Sequence, residues 1–248
     1  SKKASTTVPL DFRLGFAFNS KSSCIVEFEI QHHPQWGDKA FLQKASFLAR
    51  LGSGSAARSI AGPLMVWGQS NAFQHSSDQY AVVPHTDWHP VFNHFQDTIL
   101  IVDKGQKKVS STLGHQLMEG HPFAEQRFDQ AHHNLSQLKT ALTTGDLDQF
   151  IDLTEAEALS LHAMMMTSHP RFVLMQPNTL AIINKIWDYR SQNALPLCFT
   201  LDAGANVHLL YPEQHRALIM DFIKTELLAH CQQGQYIEDQ VGNGAKKI

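Results

Sequence analysis

An apolar run that ends in an acid and then turns on small residues stands at Thr200-Leu201-Asp202-Ala203-Gly204-Ala205-Asn206-Val207. A carboxylate at such a strand end can be partly desolvated, which raises its pKa and suits it to accept a proton. The small residues after it let a substrate or another chain come close. An Asp-Gly-type turn between two strands has the same pattern and is common. Spacing alone does not separate the two readings.

A second segment with chemical potential is Gly52-Ser53-Gly54-Ser55-Ala56-Ala57-Arg58-Ser59. Its glycines free the backbone for close approach, Ser53 and Ser55 bring hydroxyls, and a following helix would offer N–H groups at its positive end. Arg58 adds a forked, permanently charged donor suited to a carboxylate or phosphate. An ordinary Gly/Ser turn capping a helix would look the same. The segment lacks the Lys-Ser/Thr ending of a Walker loop, so that route to a nucleotide is not indicated.

Two further stretches carry weaker signals. Asp103-Lys104-Gly105-Gln106-Lys107-Lys108-Val109-Ser110-Ser111-Thr112 could hold a phosphate chain or be a solvated loop leading into a helix. The methionines after His162, at 164–166, read as helix core, because methionine fills irregular gaps. His162 itself reads as a packed, hydrogen-bonded histidine rather than a ligand. The fifteen histidines are scattered; the pairs His32-His33 and His132-His133 are sequence neighbours that point different ways and are poor metal sites.

The elements that must position these residues can be read from periodicity. Strands are expected at 6–10, 13–18 and 24–30, with a turn at 19–22 and a break at 33–38. A helix follows over 39–50, where Phe41, Leu42, Ala45, Leu48 and Ala49 recur at helical spacing. Further strands are expected at 64–68, 79–83 and 98–103; the unbroken run Ile99-Leu100-Ile101-Val102 suits a strand covered on both faces. Helices follow at 123–142, 146–166 and 179–190, with Gly145 placed for a C-cap. A strand pair at 196–201 and 206–211 encloses Asp202, and a last helix at 213–231 precedes a Gly-rich tail. The pattern is α+β.

Composition bounds the rest. At 248 residues and 43% hydrophobic, the chain can bury a sizeable core. A net charge of −3 gives no general electrostatic reason to expect nucleic acid or an anionic membrane as partner. No stretch approaches the roughly 20 apolar residues of a membrane span. Cys24, Cys198 and Cys231 are too few and too widely spaced for a disulfide framework or a CxxC metal site, which points to reduced thiols and the cytoplasm.

Taken together, the stretches 49–59, 107–112, 161–167 and 199–208 resemble, in order and spacing, the diphosphomevalonate decarboxylases of the galactokinase, homoserine kinase, mevalonate kinase and phosphomevalonate kinase superfamily. The resemblance covers roughly residues 39 to 245. It implies a two-lobed small-molecule-kinase fold with mixed or antiparallel sheets packed on helices, a homodimer, and the use of ATP with Mg2+. It implies phosphorylation of the tertiary 3-hydroxyl of mevalonate 5-diphosphate and then loss of phosphate and CO2 to give isopentenyl diphosphate. The aspartate matching Asp202 would be the base or orienting group at that hydroxyl. The residues matching Ser53, Gly54, Ser55 and Arg58 would bind substrate, Arg58 at its carboxylate. Lys107, Lys108, Ser110 and Ser111 would border the phosphate and nucleotide end of the cleft.

Some family features are missing. Neither the Asn-Ile-Ala-Leu-Ile-Lys-Tyr-Trp-Gly-like substrate segment nor the Pro-x-x-x-Gly-Leu-Ala-Ser-Ser-Ala-like phosphate loop is found. Thr112 stands where some members place a substrate-binding arginine. The expected organisation is an N-terminal lobe at 1–109, lacking an N-terminal segment and the ATP phosphate loop, and a C-terminal α+β lobe at 110–248. Two other readings stay open: a related mevalonate-phosphate decarboxylase or kinase acting on a different phosphorylation state, and an inactive homologue. Kinase-only relatives tend to lose the aspartate matching Asp202.

Overall fold

The computed structural model describes residues 14–16, 38–52, 54–84, 87–105, 117–242 and 244. They fall into two compact units, one of residues 1–86 with 242–248 and one of residues 87–241. The division at 86/87 lies ahead of the lobe boundary read from the sequence at 109/110, because the strand at 95–100 pairs with strands far along the chain.

In the first unit, strand β1 (Leu14–Phe16) pairs antiparallel with β2 (Leu64–Val66), and helix α1 (Asp38–Gly52) runs between them. Ala45 and Ala49 on α1 pack with Ile60, flanked by Phe41 and Leu42, as the helical spacing requires. Ser46 is buried on the same helix; its hydroxyl donates to the Ala57 carbonyl at 2.8 Å and accepts from the Ala81 amide at 2.8 Å. That second bond explains why the strand expected at 79–83 is reduced to one bridge, Val66 with Val82. Ala81 gives its amide to a side chain, and Pro84 has none to give. The strands expected at 6–10 and 24–30 lie outside the described residues.

The second unit is an antiparallel sheet in the order β4-β5-β3-β6, packed on helices. Its strands are β3 (Phe95–Leu100), β4 (Cys198–Leu201), β5 (Val207–Pro212) and β6 (Tyr236–Gln240). Its helices are α2 (Ala124–Thr144), α3 (Leu147–Thr167), α4 (Pro177–Asn193) and α5 (Arg216–Phe222). Gly145 ends α2 with φ 77°, and a Cβ there would meet the His89 ring at 2.5 Å, so glycine is required twice over. Asp146 caps α3 by accepting from the Gln149 amide at 3.0 Å. Leu100, Phe199, Val207, Leu209 and Tyr211 form one face of the sheet and bury against Ile182 and Ile186 of α4 and Ile219 of α5.

One polar group fastens the helices to β4. The Glu155 carboxylate on α3 accepts from Arg190 at 2.6 and 3.1 Å, from the Trp187 indole N–H at 2.7 Å and from the Phe199 amide at 3.3 Å. Arg190 also donates to the Leu197 carbonyl at 2.9 Å.

Two expectations fail in this unit. The helix read over 213–231 is broken into a 3₁₀ turn at Glu213–His215, α5, a π segment at Ile223–Leu227 and a 3₁₀ turn at Leu228–His230. Tyr236–Gln240, read as tail, is an edge strand; only Tyr236 and Ile237 in it are apolar, so it carries little strand signal. Among the described residues, no helix is long and apolar enough to cross a membrane. Cys198 and Cys231 are free and buried; burial pushes the Cys231 thiol up to about 11 and Cys198 well above its usual value.

Candidate active site

β4 and β5 form the expected hairpin, with Leu201 opposite Val207 as the last pair, so residues 202–206 are its connection. Asp202 is the first residue of that turn. Side chains from elsewhere hold the turn's backbone. His162 on α3 places Nε2 3.1 Å from the Asp202 carbonyl. Thr179 on α4 donates its hydroxyl to the Ala205 carbonyl at 2.6 Å. The Asn206 side-chain oxygen accepts from the amides of Val102 and Asp103 at 2.9 and 3.0 Å, which ties the turn to the chain leaving β3. These same bonds end β3 at Leu100 instead of carrying it to 103 as expected.

The Asp202 residue is exposed, which corrects the expectation of a partly desolvated carboxylate. The group of Asp202 that the buried His162 holds is its main-chain carbonyl. Asp202 and its neighbours Ala203 and Gly204 line a cavity of about 570 Å³, together with Ile99, Asp103, Lys104, His208 and Tyr236 among others. That volume is in the range of small-molecule sites. A Cβ built on Gly204 would meet nothing within 4 Å, so the turn faces open space there.

His162 is 1% exposed. A carbonyl only accepts, so the proton must sit on Nε2 and the neutral ring has a bare Nδ1. Burial lowers its pKa below the ordinary 6.5, with the Asp202 carbonyl bond and the Asp202 charge opposing. The unfolded chain therefore binds this proton at higher pH than the folded one. Stability is retained above 6.5 and is lost as pH falls through that value, with a slope of up to about 1.4 kcal/mol per pH unit. Urea titrations between neutral and mildly acidic pH should show this component, and His162→Gln should remove it; an identical pH dependence in the variant would refute the assignment.

The other expected site residues are placed as follows. Gly54, Ser55 and Arg58 lie in the 3₁₀ helix Gly54–Ser59 of the first unit, with Arg58 half-buried in its last turn. The expected glycine loop running into a short helix is thus that single 3₁₀ segment after α1. Ser53, Lys107, Lys108, Ser110 and Ser111 lie outside the described residues. Lys104 and Gly105, from the same lysine-containing stretch, line the Asp202 cavity. Of the methionines read as helix core, Met164 and Met165 are so, 5% and 1% exposed, while Met166 points away from the core and is 38% exposed. Asn206 and Thr179 were not singled out; an Asn ending a small-residue turn and a Thr in the first turn of a helix are the only local hints of their roles.

Comparison with known proteins gives the chain its relatives. A family model described as the mevalonate 5-diphosphate decarboxylase C-terminal domain matches residues 98–247. The chain is 30% identical over 176 residues to a phosphomevalonate decarboxylase of Haloferax volcanii, covering 69% of this chain and 50% of that protein. It is 29% identical over 187 residues to a diphosphomevalonate decarboxylase of Ganoderma lucidum, covering 72% and 46%. The chain thus spans about half the length of the curated relatives it matches. A solved structure described as MDDEF in complex with MVAPP superposes with TM-score 0.72 at 25% identity, over 87% of this chain and 63% of that one. The mevalonate pyrophosphate decarboxylase from Streptococcus pyogenes superposes with TM-score 0.74 at 21% identity, over 91% and 64%, and shows the shared fold.

Proposed function

This chain belongs to the mevalonate 5-diphosphate decarboxylase family, and from that premise we propose that it catalyses the ATP-dependent decarboxylation of mevalonate 5-diphosphate to isopentenyl diphosphate, releasing ADP, phosphate and CO2. The observation that carries the proposal is Asp202: a carboxylate on the wall of a 570 Å³ cavity, on a turn whose backbone is fixed by His162, Thr179 and Asn206.

ATP supplies the phosphoryl group that converts the 3-hydroxyl oxygen into a leaving group. Asp202 orients that tertiary hydroxyl and accepts its proton, which a poor nucleophile needs. Once that proton has passed to solvent, the ionised Asp202 carboxylate stabilises positive charge growing at carbon 3 as the carbon–oxygen bond breaks, phosphate leaves and the carboxylate carbon departs as CO2. By the family resemblance, Arg58 takes the substrate carboxylate through its planar fork, and Ser53, Gly54 and Ser55 are substrate-binding residues. Lys107, Lys108, Ser110 and Ser111 border the phosphates. Mg2+ usually binds through one or two carboxylates plus the phosphates of its nucleotide. Asp103, on the cavity wall, would be a donor of that type. We place the protein in the cytoplasm as a homodimer, a state that light scattering can check.

A second reading is favoured by one observation. The relative from Haloferax volcanii is named for the monophosphate substrate. CO2 release should be assayed with ATP and each of mevalonate 5-diphosphate, mevalonate 5-phosphate and mevalonate. Preference for the diphosphate is expected. Preference for the monophosphate would replace the primary reading with the second, and no CO2 from any of the three would sink both.

A further inference from the structure

The chain leaving β3 is fixed through its amides. β3 ends at Leu100, and each of the next five residues gives its N–H to a protein acceptor. Ile101 donates to the Gln235 carbonyl at 3.1 Å. Val102 and Asp103 both donate to Asn206 Oδ1, at 2.9 and 3.0 Å. Lys104 donates to Gln232 Oε1 at 2.7 Å, and Gly105 to Asp103 Oδ1 at 2.7 Å. The Gln232 amide in turn donates to the Ile101 carbonyl at 2.7 Å. An exposed loop can leave its amides to water; here the protein takes all five, which holds a single backbone path. The segment is thereby clamped on one side by the Asp202 turn, through Asn206, and on the other by the turn that contains Gln232.

That path sets Lys104 on the wall of the cavity that Asp202 lines. The residue is exposed, and its main chain is anchored by the bond to Gln232. Among the described residues, the other titratable groups of the wall are Asp103, Asp202, His208 and Tyr236. The His208 ring lies 2.9 Å from the buried carboxylate of Asp97, which offsets any charge the ring carries. Lys104 therefore brings the net positive charge to a wall that otherwise holds two carboxylates. Those carboxylates repel a ligand that itself carries a carboxylate and a diphosphate, so a cation is needed to hold it there. An ammonium is a compact charge with three donors on a long stem, suited to phosphate oxygens met from several directions. We propose that Lys104 is a ligand-contacting residue of this cavity that donates to a phosphate oxygen, either of mevalonate 5-diphosphate or of ATP. The proposal rests on the decarboxylase reading for the identity of those two ligands.

Lys104→Gln and Lys104→Arg test it together, because both keep the main-chain bond to Gln232 and only the first removes the charge. In the intact protein, Lys104→Gln should raise KM for the ligand it meets about tenfold, with kcat within about threefold and an unchanged melting temperature. Lys104→Arg should stay within about threefold of wild type. Measuring KM separately for mevalonate 5-diphosphate and for ATP shows whose phosphate is held. Added salt should weaken the wild-type interaction more than that of Lys104→Gln, since the contact is between charges. Calorimetric titration with inorganic pyrophosphate supplies the readout where there is no turnover. Wild-type protein that binds pyrophosphate but releases no CO2, with binding lost in Lys104→Gln and kept in Lys104→Arg, would remove the decarboxylase reading and leave the Lys104 contact standing. Equal KM for both ligands in wild type and Lys104→Gln would overturn the contact. So would an equal loss of affinity in Lys104→Arg, which would trace the effect to the loop and not the charge, and so would wild-type protein that shows neither turnover nor pyrophosphate binding.

Discussion

Asp202→Asn is expected to lower kcat for ATP-dependent CO2 release by about 10²–10⁴-fold, the usual worth of a positioned acid–base group. Asparagine keeps the size of the side chain and the main-chain bonds to His162 and Gly204, but it cannot take a proton or face developing positive charge with a full negative one. KM should stay within about threefold, since the loss falls on the transition state. The residue is exposed, so unfolding free energy should change by less than about 0.5 kcal/mol. Steady-state kinetics beside a urea titration separate the two effects. Turnover by the variant comparable with wild type would remove Asp202 from the chemistry, and a large loss of stability would mean that the kinetic loss reports folding.

The largest effect on stability should come from Glu155→Ala, at about 3–5 kcal/mol, measured as a shift in the urea midpoint at constant slope. Four donor contacts lose their acceptor at once: two from Arg190, one from the Trp187 indole and one from the Phe199 amide. The amide belongs to a residue that is 0% exposed, where water cannot replace the carboxylate. The contrast is the pair Lys185–Glu226, at 2.7 Å but with side chains 37% and 52% exposed; removing it should leave the midpoint where it is. A midpoint equally insensitive to Glu155→Ala would show that the network contributes little. Because Glu155 fastens β4, which leads straight into Asp202, partial unfolding in this variant should also appear as lost activity.

The long helices were legible because their signals are local. Apolar spacing, Asp146 before the first turn of α3 and Gly145 after the last turn of α2 act within a few residues, and each expected helix lies within a few residues of the observed α1 to α4. The hairpin around Asp202 was legible for the same reason. What escaped was set at a distance. The strand expected at 79–83 gave way to a bond from Ala81 to Ser46, thirty-five residues earlier. β6 exists because β3 offers it an edge, not because its own residues favour a strand. The last helix alternates 3₁₀, α and π turns, which its apolar content does not announce.

For the candidate site, residue type and local order determined on their own that an acid stands at a strand end before a small-residue turn, and that an arginine follows a glycine–serine segment. Only the tertiary structure decided that this acid is exposed on a cavity wall, and that its turn is held by His162, Thr179 and Asn206. It alone decided that His208 shares the cavity with a buried aspartate behind it. The physical reason is that these bonds join residues from 26 to 111 positions apart. No pattern within a helix or strand period records such a pair, and only the packing of the sheet against its helices brings the partners within reach.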